Sequence, residues 1–145
     1  PIMTIDYYPT LLEITGARGD AGRSIPIDGV SILSLLKDPT AQLNRNLYWH
    51  YPHYHAGGDS PYSAVRSDRW RLIEFHENNR IEFYDLSKDP SEGTNLAGAM
   101  PLKVQQLRED LRIWRENIDA QMPTPNPNYD PTRATEVARA TNTRN

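Results

Sequence analysis

The chain has no cysteine. That excludes disulfides, thiolate metal sites and a cysteine nucleophile among these residues. It has no excess of positive charge: 16 Lys and Arg stand against 19 Asp and Glu, a net charge of −3. Such a balance gives no broad basic surface, and no nucleic-acid partner is expected. No apolar run approaches the roughly 18 residues that a membrane span needs, so no membrane partner is expected either. There is no leader pattern after Pro1, neither a charged n-region nor an apolar h-region, and the sequence reads as a fragment or processed piece. Large apolar side chains are scarce as well. Leu, Ile, Val and Phe make up about a fifth of the chain, near the composition at which disorder begins. The scarcity is local: from Pro123 to Asn145 only Val137 belongs to this set, and the same stretch holds four prolines. This tail is expected to run extended over a surface or to be disordered.

What remains has enough apolar residues for a small α+β core. Ile5 to Ile14 reads as a short helix, capped by Asp6, with Pro9 in its first turn and Leu11, Leu12 and Ile14 as the apolar face. Gly16 stops it. Ser31 to Lys37 reads as a second short helix, capped by Ser31, with Ile32, Leu35 and Leu36 inward and Asp38-Pro39 at its end. Four strand candidates follow: Asn46–Tyr51, Tyr62–Arg66, Arg69–Phe75 and Ile81–Leu86. A Ser67-Asp68 turn joins the second to the third. Asn78-Asn79, which tolerates left-handed backbone, turns the third into the fourth. Three successive strands with short connections, the second to the fourth, argue for an antiparallel meander. Val104, Leu107, Leu111, Trp114 and Ile118 then recur at steps of 3 and 4 between Pro101 and Pro123, the stripe of a long helix packed on the sheet. The predicted fold is therefore a four-stranded antiparallel sheet against a long C-terminal helix, preceded by short helices and followed by an extended tail.

The densest polar cluster is His50-Tyr51-Pro52-His53-Tyr54-His55-Ala56-Gly57-Gly58-Asp59. In extended chain His53 and His55 share a side, where they can meet a metal, an anion or a sugar through their ring nitrogens. A surface loop with backbone-bonded histidines is the plain alternative. A cupin-type metal motif opens with the same H-x-H but needs a glutamate a few residues on, and the nearest acid is Asp59. Ala56 to Ser60 is no phosphate loop, because it lacks the Gly-Lys-Ser/Thr ending and no helix follows. Arg66 can point towards the histidine loop and hold an anion, while alternation places Arg69 and Arg71 together on one face. Asp85, Asp89 and Glu92 do not have EF-hand spacing, and Asp89-Pro90-Ser91-Glu92 reads as a helical turn capped by Asp89. Trp49, Trp70 and Trp114 read as core or rim packing.

Several segments, taken in order, resemble one family. They are Asp6-Tyr7-Tyr8-Pro9-Thr10-Leu11-Leu12-Glu13, Asp28-Gly29-Val30-Ser31-Ile32-Leu33, Leu47 to His55, and Ala64-Val65-Arg66-Ser67-Asp68-Arg69-Trp70-Arg71-Leu72-Ile73. Phe83-Tyr84-Asp85-Leu86, Asp89-Pro90-Ser91-Glu92 and Asn95-Leu96 complete the set. Over roughly residues 1–122 the series is similar to the carboxy-terminal part of type I sulfatases. These are the formylglycine-dependent, arylsulfatase-like members of the alkaline-phosphatase superfamily. Tyr51-Pro52-His53-Tyr54-His55 further resembles bacterial sulfatases of sulfated sugars.

The resemblance implies three parts: residues 1–40 as the end of the catalytic domain, 41–122 as the C-terminal subdomain, and 123–145 as the tail. It implies a parent enzyme, periplasmic or secreted, that hydrolyses sulfate esters with a formylglycine hydrate and a calcium ion. Neither group is expected in this piece. Ser24-Ile25-Pro26 begins like the S-x-P-x-R formylglycine signature, but Asp28 stands where the arginine belongs. The piece is thus expected to have no catalytic residue, no metal ligand and no activity alone. Its expected partners are the N-terminal catalytic domain and a sulfated saccharide, and its substrate-binding residues are expected to be His53, His55 and Arg66. Two other functions compete: a stand-alone α+β binding module, and a small metalloprotein using His53, His55 and Asp59.

Overall fold

The structure is a computed structural model that describes residues 1–17, 26–38, 40–54 and 60–130. The chain divides into two units, Pro1–Arg45 and the residues from Asn46 onward.

In the first unit a short 3-10 turn, Thr4–Asp6, runs directly into helix α1, Tyr7–Thr15. Pro9 lies in the first turn, where no intrahelical partner for its nitrogen is missed. Gly16 ends the helix at φ 65°, a left-handed conformation that glycine adopts without strain. Helix α2 is Leu33–Lys37. Asp6 does not cap α1 as expected. Its carboxylate is fully buried and accepts the Met3 N–H at 2.7 Å and the Val30 N–H at 3.1 Å. Arg45 grips it bidentately, with Nη1 at 2.8 Å from Oδ1 and Nη2 on Oδ2. That grip, aided by the two backbone donors and opposed by burial, lowers the Asp6 carboxyl to about 2. Thr10 ties the helix to its neighbour by donating to the Asp6 carbonyl at 2.5 Å and accepting the Ile32 N–H at 3.0 Å. Gly29 passes so close that a Cβ there would sit 2.0 Å from the Ile5 carbonyl oxygen. Of the expected apolar faces, Ile32 is buried and Leu12 and Leu35 are half-buried, but the rest turn outward. Leu11 is 58% exposed, and Ile14, Tyr7, Tyr8 and Leu36 are exposed too. Ser31 lies just before α2 and accepts the Leu33 N–H at 3.2 Å rather than occupying the cap.

The second unit has strands β1 (Asn46–Tyr51), β2 (Tyr62–Ser67), β3 (Trp70–Phe75) and β4 (Ile81–Asp85), then helix α3 (Pro101–Asn117). The sheet is antiparallel in the order β1-β2-β3-β4, the meander expected. The β2–β3 turn is Asp68-Arg69, one residue later than the sequence suggests, because Asp68 takes the left-handed conformation at φ 53°. Asn79 does the same at φ 56° before β4. One face of the sheet carries Val65, Leu72 and Phe83, which are fully buried with Leu107 and Leu111 of α3. Trp114 stacks on Tyr48 at 4.9 Å between ring centres, and Trp70 on Phe83 at 5.1 Å, so both tryptophans pack as core. Glu74 clamps α3 from the same face, accepting from Arg108 at 2.7 Å and Arg115 at 2.9 Å. Burial pushes the Glu74 carboxyl up, but those two cations outweigh it and hold the group below its ordinary range. The helix stops at Asn117, so Ile118 ends the stripe exposed instead of buried. Asn95 extends the edge of β4: its side chain accepts the Phe83 N–H at 3.1 Å and donates to the Ile81 carbonyl at 3.0 Å.

Candidate anion site on the open face of the sheet

Side chains alternate along a strand, so the face that α3 leaves uncovered carries Trp49, Tyr62, Arg66 and Arg71. With Leu86 and Glu92 they line a depression of about 540 Å³. Arg66 and Arg71 are direct cross-strand partners. Like charges in that position repel. Glu92, held at φ 58°, accepts from Arg71 and neutralises it. Arg66 has no carboxylate within ion-pair distance among the described residues, and its Nε donates to the Asp68 carbonyl at 3.3 Å. The depression therefore holds one uncompensated guanidinium beside an indole that is 37% exposed. A planar cation next to a flat apolar ring suits a ligand with an anionic group on an apolar-faced ring.

His53 is placed elsewhere. It follows the end of β1, exposed, with its ring edge-on to Tyr51 at 5.7 Å. Tyr51 pairs with Tyr62, whereas Arg66 pairs with Leu47. Those pairs are four residues apart, about 13 Å along the strand. A row of rings bridges part of that span: Tyr51 lies 6.1 Å from Tyr62, and Tyr62 lines the depression. His55, Gly57, Gly58 and Asp59 lie outside the described residues.

The pairing of arginines differs from the sequence reading. Arg69 sits in the turn, where its guanidinium lies 4.5 Å over Trp70 and 3.6 Å from Asp85. Arg71 faces Arg66 instead. Trp49, Arg71 and Glu92 were the residues sequence reasoning missed at this site. The alternation of Tyr48 and Trp49 in β1 signals the first, and Arg71 follows once the hairpin register is known. Asp89-Pro90-Ser91-Glu92 forms the expected turn capped by Asp89, closed by the Glu92 N–H on the Asp89 carbonyl at 3.2 Å. Asp85 accepts from the Ser87 hydroxyl at 2.6 Å, and Asp89 from the Ser91 hydroxyl and the Thr94 N–H, both at 2.8 Å. Among the described residues no three His, Cys, Asp or Glu side chains are grouped to hold a metal ion.

The family model for the C-terminal part of N-sulphoglucosamine sulphohydrolase matches residues 1–118. A sulfatase of Formosa agariphila is 31% identical over 125 residues, covering 78% of this chain and 23% of its own length. Arylsulfatase K of Xenopus laevis is 31% identical over 122 residues, with 77% and 22% covered. The structure of a protein solved with its substrate D-glucosamine-2-N,6-O-disulfate superposes with a TM-score of 0.63 at 25% identity, covering 81% of this chain and 24% of that one. The chain thus spans less than a quarter of the length of these relatives.

Proposed function

We propose, from the fact that this chain belongs to the family of sulfatase C-terminal domains, that it supplies one wall of the substrate cleft in an enzyme hydrolysing sulfate esters of a carbohydrate. The observation that carries this reading is the uncompensated Arg66 beside Trp49 on the open face of the sheet. A sulfated sugar offers the matching pair of an anion and an apolar ring face. In this reading Arg66 holds a sulfate or carboxylate by charge-assisted hydrogen bonds, and His53 and His55 donate to sugar hydroxyls or sulfate from the adjoining loop.

The nucleophile and the metal belong to an N-terminal catalytic domain in this proposal. The residues of this chain do not fit either group: there is no cysteine, Ser24-Ile25-Pro26 lacks the arginine of the formylglycine signature, and Asp6, Asp85 and Asp89 are engaged in an ion pair and turns. No chemical step is assigned to them. The exposed apolar side chains of α1 support such a covering partner, because an amphipathic helix of this kind buries its apolar face in a complete protein. The same proposal places the parent enzyme in the periplasm or outside the cell. Among the described residues no helix is long and apolar enough to cross a membrane.

The test is kinetic and uses the parent polypeptide. Arg66→Gln and the double change His53→Ala, His55→Ala are each assayed with a glucosamine sulfate. Loss of a charge-assisted contact predicts a fall of roughly tenfold to 100-fold in kcat/KM for Arg66→Gln. Unchanged kcat/KM in both variants removes these residues from the substrate cleft.

A further inference from the structure

One polar cluster is used neither by the open face nor by any ion pair. On the α3 side of the sheet, the Ser63 hydroxyl is fully buried and stands between two imidazoles. His50 Nδ1 lies 2.8 Å from it and His76 Nε2 lies 2.9 Å from it. The outer nitrogen of His50, Nε2, lies 2.8 Å from the carbonyl oxygen of Gln121, in the segment that follows α3.

The chemistry of the end group fixes every proton. A carbonyl can only accept, so His50 Nε2 carries a hydrogen. In the neutral ring Nδ1 must then accept, and the Ser63 hydroxyl donates to it. The Ser63 oxygen in turn accepts from His76 Nε2–H. The chain therefore runs in one direction, from His76 through Ser63 to His50 and on to Gln121.

We propose that His50, Ser63 and His76 form a proton relay that clasps the Gln121 segment to β1, holding with no added proton or with one, and opening when both rings are charged. One proton is accommodated by reversing the inner half of the chain. A proton arrives at His76 Nδ1, the proton of His76 Nε2 passes to the Ser63 oxygen, and the Ser63 proton passes to His50 Nδ1. The products are a charged His50, which grips Gln121 with a charge-assisted bond, and a neutral His76 whose hydrogen is now on Nδ1. His50 Nδ1, the Ser63 hydroxyl and His76 Nε2 each keep a partner. A second proton leaves both inner nitrogens as donors to one oxygen, and the buried hydroxyl hydrogen loses its acceptor.

The surroundings set which ring keeps the charge. Around His76 lie Glu74 of β3, which favours the charge, and Arg115 of α3 and His50 of β1, which oppose it. Arg108 of α3 shares Glu74 with Arg115 and divides its attraction. Burial, followed by Arg115, pushes the His76 imidazole down and so disfavours a charge on that ring.

The experiment uses the full chain labelled with 15N at histidine, of which there are four. Long-range proton–nitrogen spectra report the tautomer and charge of each ring as pH is lowered. The expected result is that His76 changes from the Nε2–H to the Nδ1–H tautomer in the same pH step that charges His50. Amide protection of residues 118–122 should survive that step and fall only at the second one, at lower pH. In Ser63→Ala the two rings should titrate with no linked tautomer change, and Ser63→Thr should restore the linkage. A wild-type His76 that stays Nε2–H while His50 is charged overturns the proposal, as does protection that is lost at the first step. The wild-type measurement decides the matter even where a variant fails to fold.

Discussion

The two units differ in what fills their centres. In Asn46–Asn117 the centre is apolar: Val65, Leu72, Phe83, Leu107 and Leu111 close on one another, and the buried Ser63, Glu74 and Asp85 stand outside that cluster. In Pro1–Arg45 the centre is polar: Asp6 and Thr10 are buried among hydrogen bonds and Arg45, while Ile5, Tyr8, Leu11 and Ile14 face outward. The first arrangement draws its stability from burial, which does not depend on orientation. The second depends on a few directed bonds, each of which is lost outright when one partner changes.

Four measurements press on that contrast. The largest effect is expected for Phe83→Ala, which removes a fully buried ring under α3. It should cost about 3–5 kcal/mol in urea unfolding followed by far-ultraviolet dichroism. Asp6→Asn comes next. It leaves the Arg45 charge without its partner and should cost about 3 kcal/mol, read from amide exchange at residues 6–12 and 30–32. The acid limb gives the same information without a mutation. The folded-state value of Asp6, about 2, lies below its ordinary 3.8. Its contribution, about 2 kcal/mol, is therefore complete above about pH 5 and drains away as pH falls towards 2. The smallest effect is expected for Leu11→Ser. On the isolated chain it should change stability by less than about 0.5 kcal/mol. In the parent polypeptide the same change should weaken the association of α1 with its cover. A cost of several kcal/mol in the isolated chain would show that Leu11 already has its partner here.

The sequence made the second unit readable because its signals are repetitive. Period-two strands, asparagine and aspartate turns, and the 3-4 stripe up to Trp114 all point to one packing. Its errors fall at ends, at Ile118 and at the Asp68-Arg69 turn, where one residue's left-handed backbone outweighs the pattern. The first unit was harder. Asp6 looks like a cap because Asp before a helix usually is one, and only Arg45, 39 residues away, reveals its role. The candidate site was half legible. Arg66 stood out as a charge near a histidine loop, but its opposition to Arg71 needs the hairpin register, and Glu92 arrives from a loop whose path no periodicity records.

The order of the strands carries one last consequence. Because each strand pairs only with its neighbour in sequence, the β2–β3 and β3–β4 closures span short loops and lose little entropy, while β1–β2 closes over residues 52–61. Such pairing can zip outward from the Asp68-Arg69 bend without waiting for distant chain. During synthesis the meander can thus assemble on emergence from the ribosome, and α3, arriving last, closes over a surface that is already laid out.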